Sequence, residues 1–258
     1  MNIKQKLTCA FVAIACLPIL LVAAVVIYNL RSQAEATFLD GSSREIRQIE
    51  NAMNMFFKGI SESVDYVAAL PPLVAAPQLK NYSSADADRL PLPEANRELE
   101  DLFDLFAKAH PTTAYLSYGR VDGGYATWPR DPGLKNYDPR VRPWYKKAME
   151  APGQTLRTAA YYWAPDDAVL IGTVRTVNDA RGNLAGVVGL DVSLKQLTEL
   201  VRQIKLGETG YLMLVEANGN VLVDPSNADH NFKSLADLGG DYARMAGAEG
   251  LLEVDIDG

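Results

Sequence analysis

The sequence predicts an α+β protein, with an N-terminal transmembrane helix and a long stalk helix followed by two antiparallel-sheet modules, the second of them truncated. Three observations carry this expectation. Residues 7–30 hold no charge, residues 32–70 repeat apolar side chains every three or four positions, and after His110 the period drops to two. The first pattern is a membrane length, the second a helix face and the third a pleated sheet.

Roughly 20 apolar residues cross a bilayer, and residues 7–30 exceed the apolar core of about 7–15 residues in a cleaved secretory signal. Lys4 and Lys6 precede this run, whereas Glu35 and Asp40 follow Arg31. The positive-inside rule then places residues 1–6 in the cytoplasm, residues 7–30 in a bacterial inner membrane and the rest in the periplasm. Pro18 falls within the span, where proline is common.

Ile46, Ile49, Met53, Phe56, Ile60, Val64 and Val67 form one stripe along the helix of residues 32–70. This rod continues the membrane span and is expected to pack against a domain. It is also expected to form a homodimer along Ile46, Ile49, Met53 and Phe56. Pro71 and Pro72 stop it. A second amphipathic helix runs from about Glu94 to Ala109, with Leu99, Leu102, Phe103 and Phe106 on one face and Pro111 beyond its end.

TAYLSYG (113–119), a turn at VDGG and YATW (125–128) read as a hairpin. AVLIGTVRTV (168–177), the turn DARGN and LAGVVGLDVSL (184–194) read as a second one. Residues 195–205 are predicted helical, and Ser193 with Gln196 makes a capping box that relieves Asp191 of capping. GYLMLVEANGNVLVDP (210–225) places two strands around Asn218-Gly219, a strong hairpin signal that opens a smaller second sheet. LLEVDIDG (251–258) alternates like a strand and runs into a turn.

The net charge of −7 argues against a nucleic-acid partner, because phosphate binding needs a basic face. Both cysteines, Cys9 and Cys16, lie in the apolar run, which leaves no disulfide scaffold and no Cys-ligated metal downstream. His110 and His230 are far apart, and neither a metal spacing, a nucleophile elbow nor a phosphate loop occurs. The expectation is a non-enzyme without cofactor or metal.

The run YDPRVRPWY (137–145) packs three aromatic rings and two arginines into nine residues at a helix start, which a proline and a cap can make alone. Its donors have a use. Arg142 and the Trp144 indole N–H suit a carboxylate, Asp191 suits an ammonium, and the Tyr137 and Tyr145 hydroxyls add neutral bonds, so the set can clamp a zwitterion. The plainer alternative is that Arg142 pairs with a nearby carboxylate and Trp144 fills the core.

A membrane span, a long helix and PAS-like sheets carrying Y-x-x-x-x-R-x-W-Y and a later G-x-D-V-S-L resemble the double-Cache (dCache) sensor domains of bacterial methyl-accepting chemotaxis receptors, over about residues 31–258. The resemblance implies a membrane-distal, ligand-binding Cache module with its stalk over residues 31–205 and a partial membrane-proximal module over residues 206–258. It also implies a site of Tyr137, Arg142, Trp144, Tyr145 and Asp191. In AAYYWAPDDAVL (159–170), Tyr161, Tyr162 and Trp163 offer π-faces, and Asp166 and Asp167 add negative charge. That segment resembles the polyamine-sensing branch of pseudomonad receptors, so a putrescine-like amine is the first expectation. An amino acid is the alternative. Fusion of the same sensor to a histidine kinase or cyclase, or a secreted binding protein, are rivals of another class.

Overall fold

The computed structural model describes residues 3–84, 87, 89–163, 168–193, 210–216, 218–248, 250, 252 and 254. The predicted helix at 195–205, the Gln196 half of the capping box, most of the strand at 251–258, and Asp166 and Asp167 lie outside the described residues. The chain divides into two units, Met1–Asn51 and Ala52–Gly258. The first is the N-terminal part of helix α1 (Ile3–Ala68), whose Ile14, Leu17, Leu21 and Val25 are exposed. By length and composition α1 can cross a membrane, with a mean hydropathy of 2.1 over its most apolar window.

In the second unit, Pro71 and Pro72 do more than stop α1. They occupy the first turn of a short helix, α2 (Pro71–Val74), where a missing N–H costs nothing. Helix α3 (Glu94–Ala109) has the predicted bounds and buries Leu99, Phe103 and Phe106. Strands β1 (Thr113–Arg120) and β2 (Tyr125–Trp128) follow, then a 3₁₀ turn (Pro139–Val141) and helix α4 (Pro143–Met149). Two short strands, β3 (Leu156–Arg157) and β4 (Tyr161–Trp163), precede the long pair β5 (Ala168–Asn178) and β6 (Leu184–Ser193).

These strands form one antiparallel sheet in the order β2-β1-β6-β5-β3, with β4 also paired to β5. Alternation then divides its residues between two faces. One face carries Leu116, Tyr118, Ala126, Ile171, Val188, Leu190 and Val192, and it packs on Ile60, Val64 and Val67 of α1 and on the buried face of α3. Met53 and Phe56, expected at a dimer seam, lean on this same core.

The opposite face is built from small and polar residues, in three rows read straight across the strands. Gly172, Asp191 and Tyr115 make the first row; Val174, Gly189, Ser117 and Thr127 the second; Thr176, Val187, Gly119 and Tyr125 the third. Helix α4 covers part of it, setting Tyr145 and Ala148 on Val174 and Val187.

Beyond residue 209, β7 (Leu214–Val215) and β8 (Val221–Val223) pair around a turn in which Gly219 has a φ of +88°, as the Asn-Gly signal predicts. Helices α5 (Leu235–Leu238) and α6 (Gly240–Met245) place Leu235 and Tyr242 on Val221. Leu214 and Val223 join the main core, and Glu216 Oε1 accepts from the Ala160 N–H at 3.2 Å.

Candidate functional site

Local sequence separates the two arginines of the 137–145 run. Asp138 caps the 3₁₀ turn by accepting the Arg140 N–H at 2.9 Å, and its carboxylate also pairs with the Arg140 guanidinium at 2.7 Å. Arg140 is thereby used at the surface. Arg142 stands between the turn and α4 with extended backbone (φ −79°, ψ 148°), because Pro143 after it disfavours the helical region. Its guanidinium lies 4.5 Å from the Tyr137 ring centroid, a cation–π contact. Its Nε is buried and has no hydrogen-bond partner among the described residues.

Trp144 lies on the sheet because glycines leave it room. A Cβ at Gly189 would stand 3.3 Å from the Trp144 ring, and one at Gly119 would meet Pro139 at 2.6 Å and Trp144 at 3.1 Å. The Trp144 indole N–H donates to the Tyr137 hydroxyl at 3.2 Å, and the Tyr137 ring stands 4.6 Å from that of Tyr125. Burial raises the Tyr137 pKa, partly offset by its bond with Trp144. The Arg142 charge lowers this pKa further and the Asp191 charge raises it, so both charged groups are within electrostatic reach of this one phenol.

Asp191 sits in the first row, on a backbone pinned to Gly172 on one side and Tyr115 on the other. It is half-buried, and its Oδ1 accepts from the Tyr161 hydroxyl at 2.8 Å. Burial pushes its carboxyl up to about 6, against which the Tyr161 bond acts only in part. The Tyr161 hydroxyl is itself pushed far up, first by burial and then by the neighbouring carboxylate. Trp163, two residues on and therefore on the same side of β4, meets Tyr115 edge to face at 5.8 Å, and its buried indole N–H has no acceptor among the described residues.

The structure thus gathers Tyr137, Arg142, Trp144, Tyr161, Trp163 and Asp191 on one face of the sheet. Tyr145 lies on that face but apart from the cluster: its ring is buried under α4 against Val174 and Val187, touching Trp144 edge to face at 5.7 Å, and so supports the wall. Asp166 and Asp167 lie outside the described residues. Sequence reasoning passed over Tyr115, Ser117 and Tyr125, although Ser117 bonds the Tyr125 hydroxyl at 2.8 Å within the same rows. Tyr115 and Ser117 share strand parity, which hints at a common face, but only pairing with β6 brings them beside Asp191.

A sheet with helices packed on one face and convergent polar groups on the other has the form of a small-molecule sensor module. The profile of the Cache domain (dCache_1) matches residues 29–258. The chain belongs to the Cache-domain family. It is similar to the methyl-accepting chemotaxis protein McpG of Pseudomonas putida, with 38% identity over 146 residues, which is 57% of this chain and 22% of that protein. McpB of Bacillus subtilis is 24% identical over 241 residues, 93% of this chain and 33% of that protein. The chain spans between about a fifth and a third of the length of these curated relatives.

Among solved structures, the ligand-binding domain of the Pseudomonas aeruginosa amino acid chemoreceptor PctB in complex with L-Gln is 27% identical at a TM-score of 0.52, covering 77% of this chain and 76% of that one. That of Pseudomonas fluorescens CtaA in complex with L-leucine is 25% identical at a TM-score of 0.51, covering 72% and 69%. The PctC domain in complex with GABA, 24% identical at a TM-score of 0.54 and covering 79% of each chain, shares the fold. Residues 29–258 are a Cache sensor domain similar to those of methyl-accepting chemotaxis proteins, and this sensor domain is not an enzyme.

Proposed function

We propose that the site binds an L-α-amino acid as a zwitterion, and that the chain, anchored in the inner membrane by residues 7–30, reports binding across the membrane for chemotaxis. One observation carries the ligand class. Two complementary charges act on the same phenol, and among the described residues each lacks its partner: the Asp191 carboxylate has a phenol and no cation, and Arg142 Nε has no acceptor. Had the two formed an ion pair, the Arg142 charge would hold the Asp191 carboxyl down, whereas it is raised. An ammonium on Asp191 and a carboxylate on Arg142 and the Trp144–Tyr137 pair would satisfy both.

The ligands named for PctB and CtaA support an amino acid over the polyamine expected first. Arg142 supports it too, since a diamine gains nothing from a guanidinium. Binding draws the sheet and its loops around the ligand and biases helix α1 between two positions, and only a difference in affinity for those positions can signal.

The test is calorimetry of the full chain in detergent against L-Gln, L-Leu, GABA and putrescine. Asp191→Asn and Arg142→Ala should each cost an amino acid about 2–5 kcal/mol, because each leaves one ligand charge poorly paired in a partly dry site. Binding of putrescine alone, unharmed by Arg142→Ala, would return the case to an amine.

A further inference from the structure

A cleft of about 410 Å³ runs along the outer edge of β2, between Lys80 and Tyr82 on one side and the loop from Arg130 to Lys135 on the other. It lies across Tyr125 from the site described above: this residue lines the cleft, while its hydroxyl bonds Ser117 and its ring meets that of Tyr137 at a tilt. We infer that this cleft is a second small-molecule site, one that takes a small aromatic carboxylate with its charge on Lys80 and its ring against Tyr82 and Tyr125.

The volume falls in the range of small-ligand pockets, roughly 300–1,000 Å³. The charges choose the sign. Arg130 is taken up by Glu100, with Nε 3.0 Å from Oε2, and by Asp101. Asp131 is occupied in accepting the Gly133 N–H at 2.9 Å. Lys80 is different. Its Nζ donates to the Leu90 carbonyl at 3.3 Å and stands 5.2 Å from the Tyr82 ring centroid, and among the described residues it has no carboxylate partner.

The walls choose the shape. Tyr82 and Tyr125 meet edge to face at 6.5 Å, and Leu92 and Leu134 also line the space. A flat ring gains more here than an aliphatic chain, because offset and edge contacts with aromatic partners add to its burial.

The experiment is titration of the full chain in detergent micelles with benzoate, acetate and benzamide, followed by calorimetry. Benzoate should bind, whereas acetate, lacking the ring, and benzamide, lacking the charge, should bind at least about tenfold more weakly. Lys80→Gln should weaken benzoate about tenfold or more, and Tyr82→Leu should weaken it as well, both without a change in melting temperature. Asp191→Asn should leave benzoate affinity unchanged whether or not the first site takes an amino acid. Absence of benzoate binding, equal binding of benzamide, or a loss in Asp191→Asn with none in Lys80→Gln would each overturn the assignment.

Discussion

The Tyr161 hydroxyl donates to Asp191 Oδ1 at 2.8 Å, and among the described residues it is the one hydrogen bond given to a carboxyl that burial raises to about 6. An unfolded aspartate releases its proton near 3.9. Between the two values the folded chain holds more protons than the unfolded one, so the contribution of this group makes stability fall as pH rises from about 4 to about 6. The melting temperature of the ligand-free chain should follow that slope, and Asp191→Asn should flatten it. Ligand affinity runs the other way, because an ammonium needs the ionised form. L-Gln binding should weaken about tenfold for each pH unit below 6. A dissociation constant that stays level from pH 7.5 to pH 5 would separate Asp191 from the ammonium.

Gly172 is the position that lets Asp191 lie where it does. A Cβ there would stand 2.7 Å from Asp191 Oδ1 and 3.2 Å from Thr158 Oγ1, which itself accepts the Gly172 N–H at 3.0 Å. The nearest atom is the end of a side chain, so Gly172→Ala should turn the carboxylate aside with little loss of stability, and L-Gln affinity should drop about tenfold or more. Gly119→Ala differs in kind. Its Cβ would meet the Pro139 ring at 2.6 Å, so it should cost about 1–3 kcal/mol of stability by overpacking. Denaturant midpoints measured beside calorimetry separate the two outcomes.

Helix α1 offers different faces along its length. Val64 and Val67 are fully buried in the core of their own chain, whereas Ile46 is 47% exposed. With Cys9 and Cys16 changed to Ser, single cysteines placed from 32 to 67 in membranes should crosslink with a helical period through the exposed stretch around Ile46. They should fail at Val64 and Val67. Uniform crosslinking, or none, would remove the homodimer through the stalk.

The sequence by itself determined the elements, since period and turn chemistry act over a few residues. The bounds of α3, the hairpin turns at Gly123, Gly182 and Gly219, all at positive φ, and the proline-started α4 could each be read from a short window. It also pointed to Asp191, Arg142, Trp144 and Tyr137 through a pattern of types and spacing. Tertiary structure decided which of them share a face. A one-residue slip of β6 against β1 would turn Asp191 toward the helices, and neither strand carries that register within itself. The same long-range pairing placed Tyr115 and Gly172 beside Asp191 and brought the Tyr161 hydroxyl onto its carboxylate. Packing of α4 on Val174 and Val187 took Tyr145 out of the cluster, although it adjoins Trp144 in the chain. Spacing along a chain specifies a helix or a turn; the approach of strands dozens of residues apart depends on which faces can be buried together.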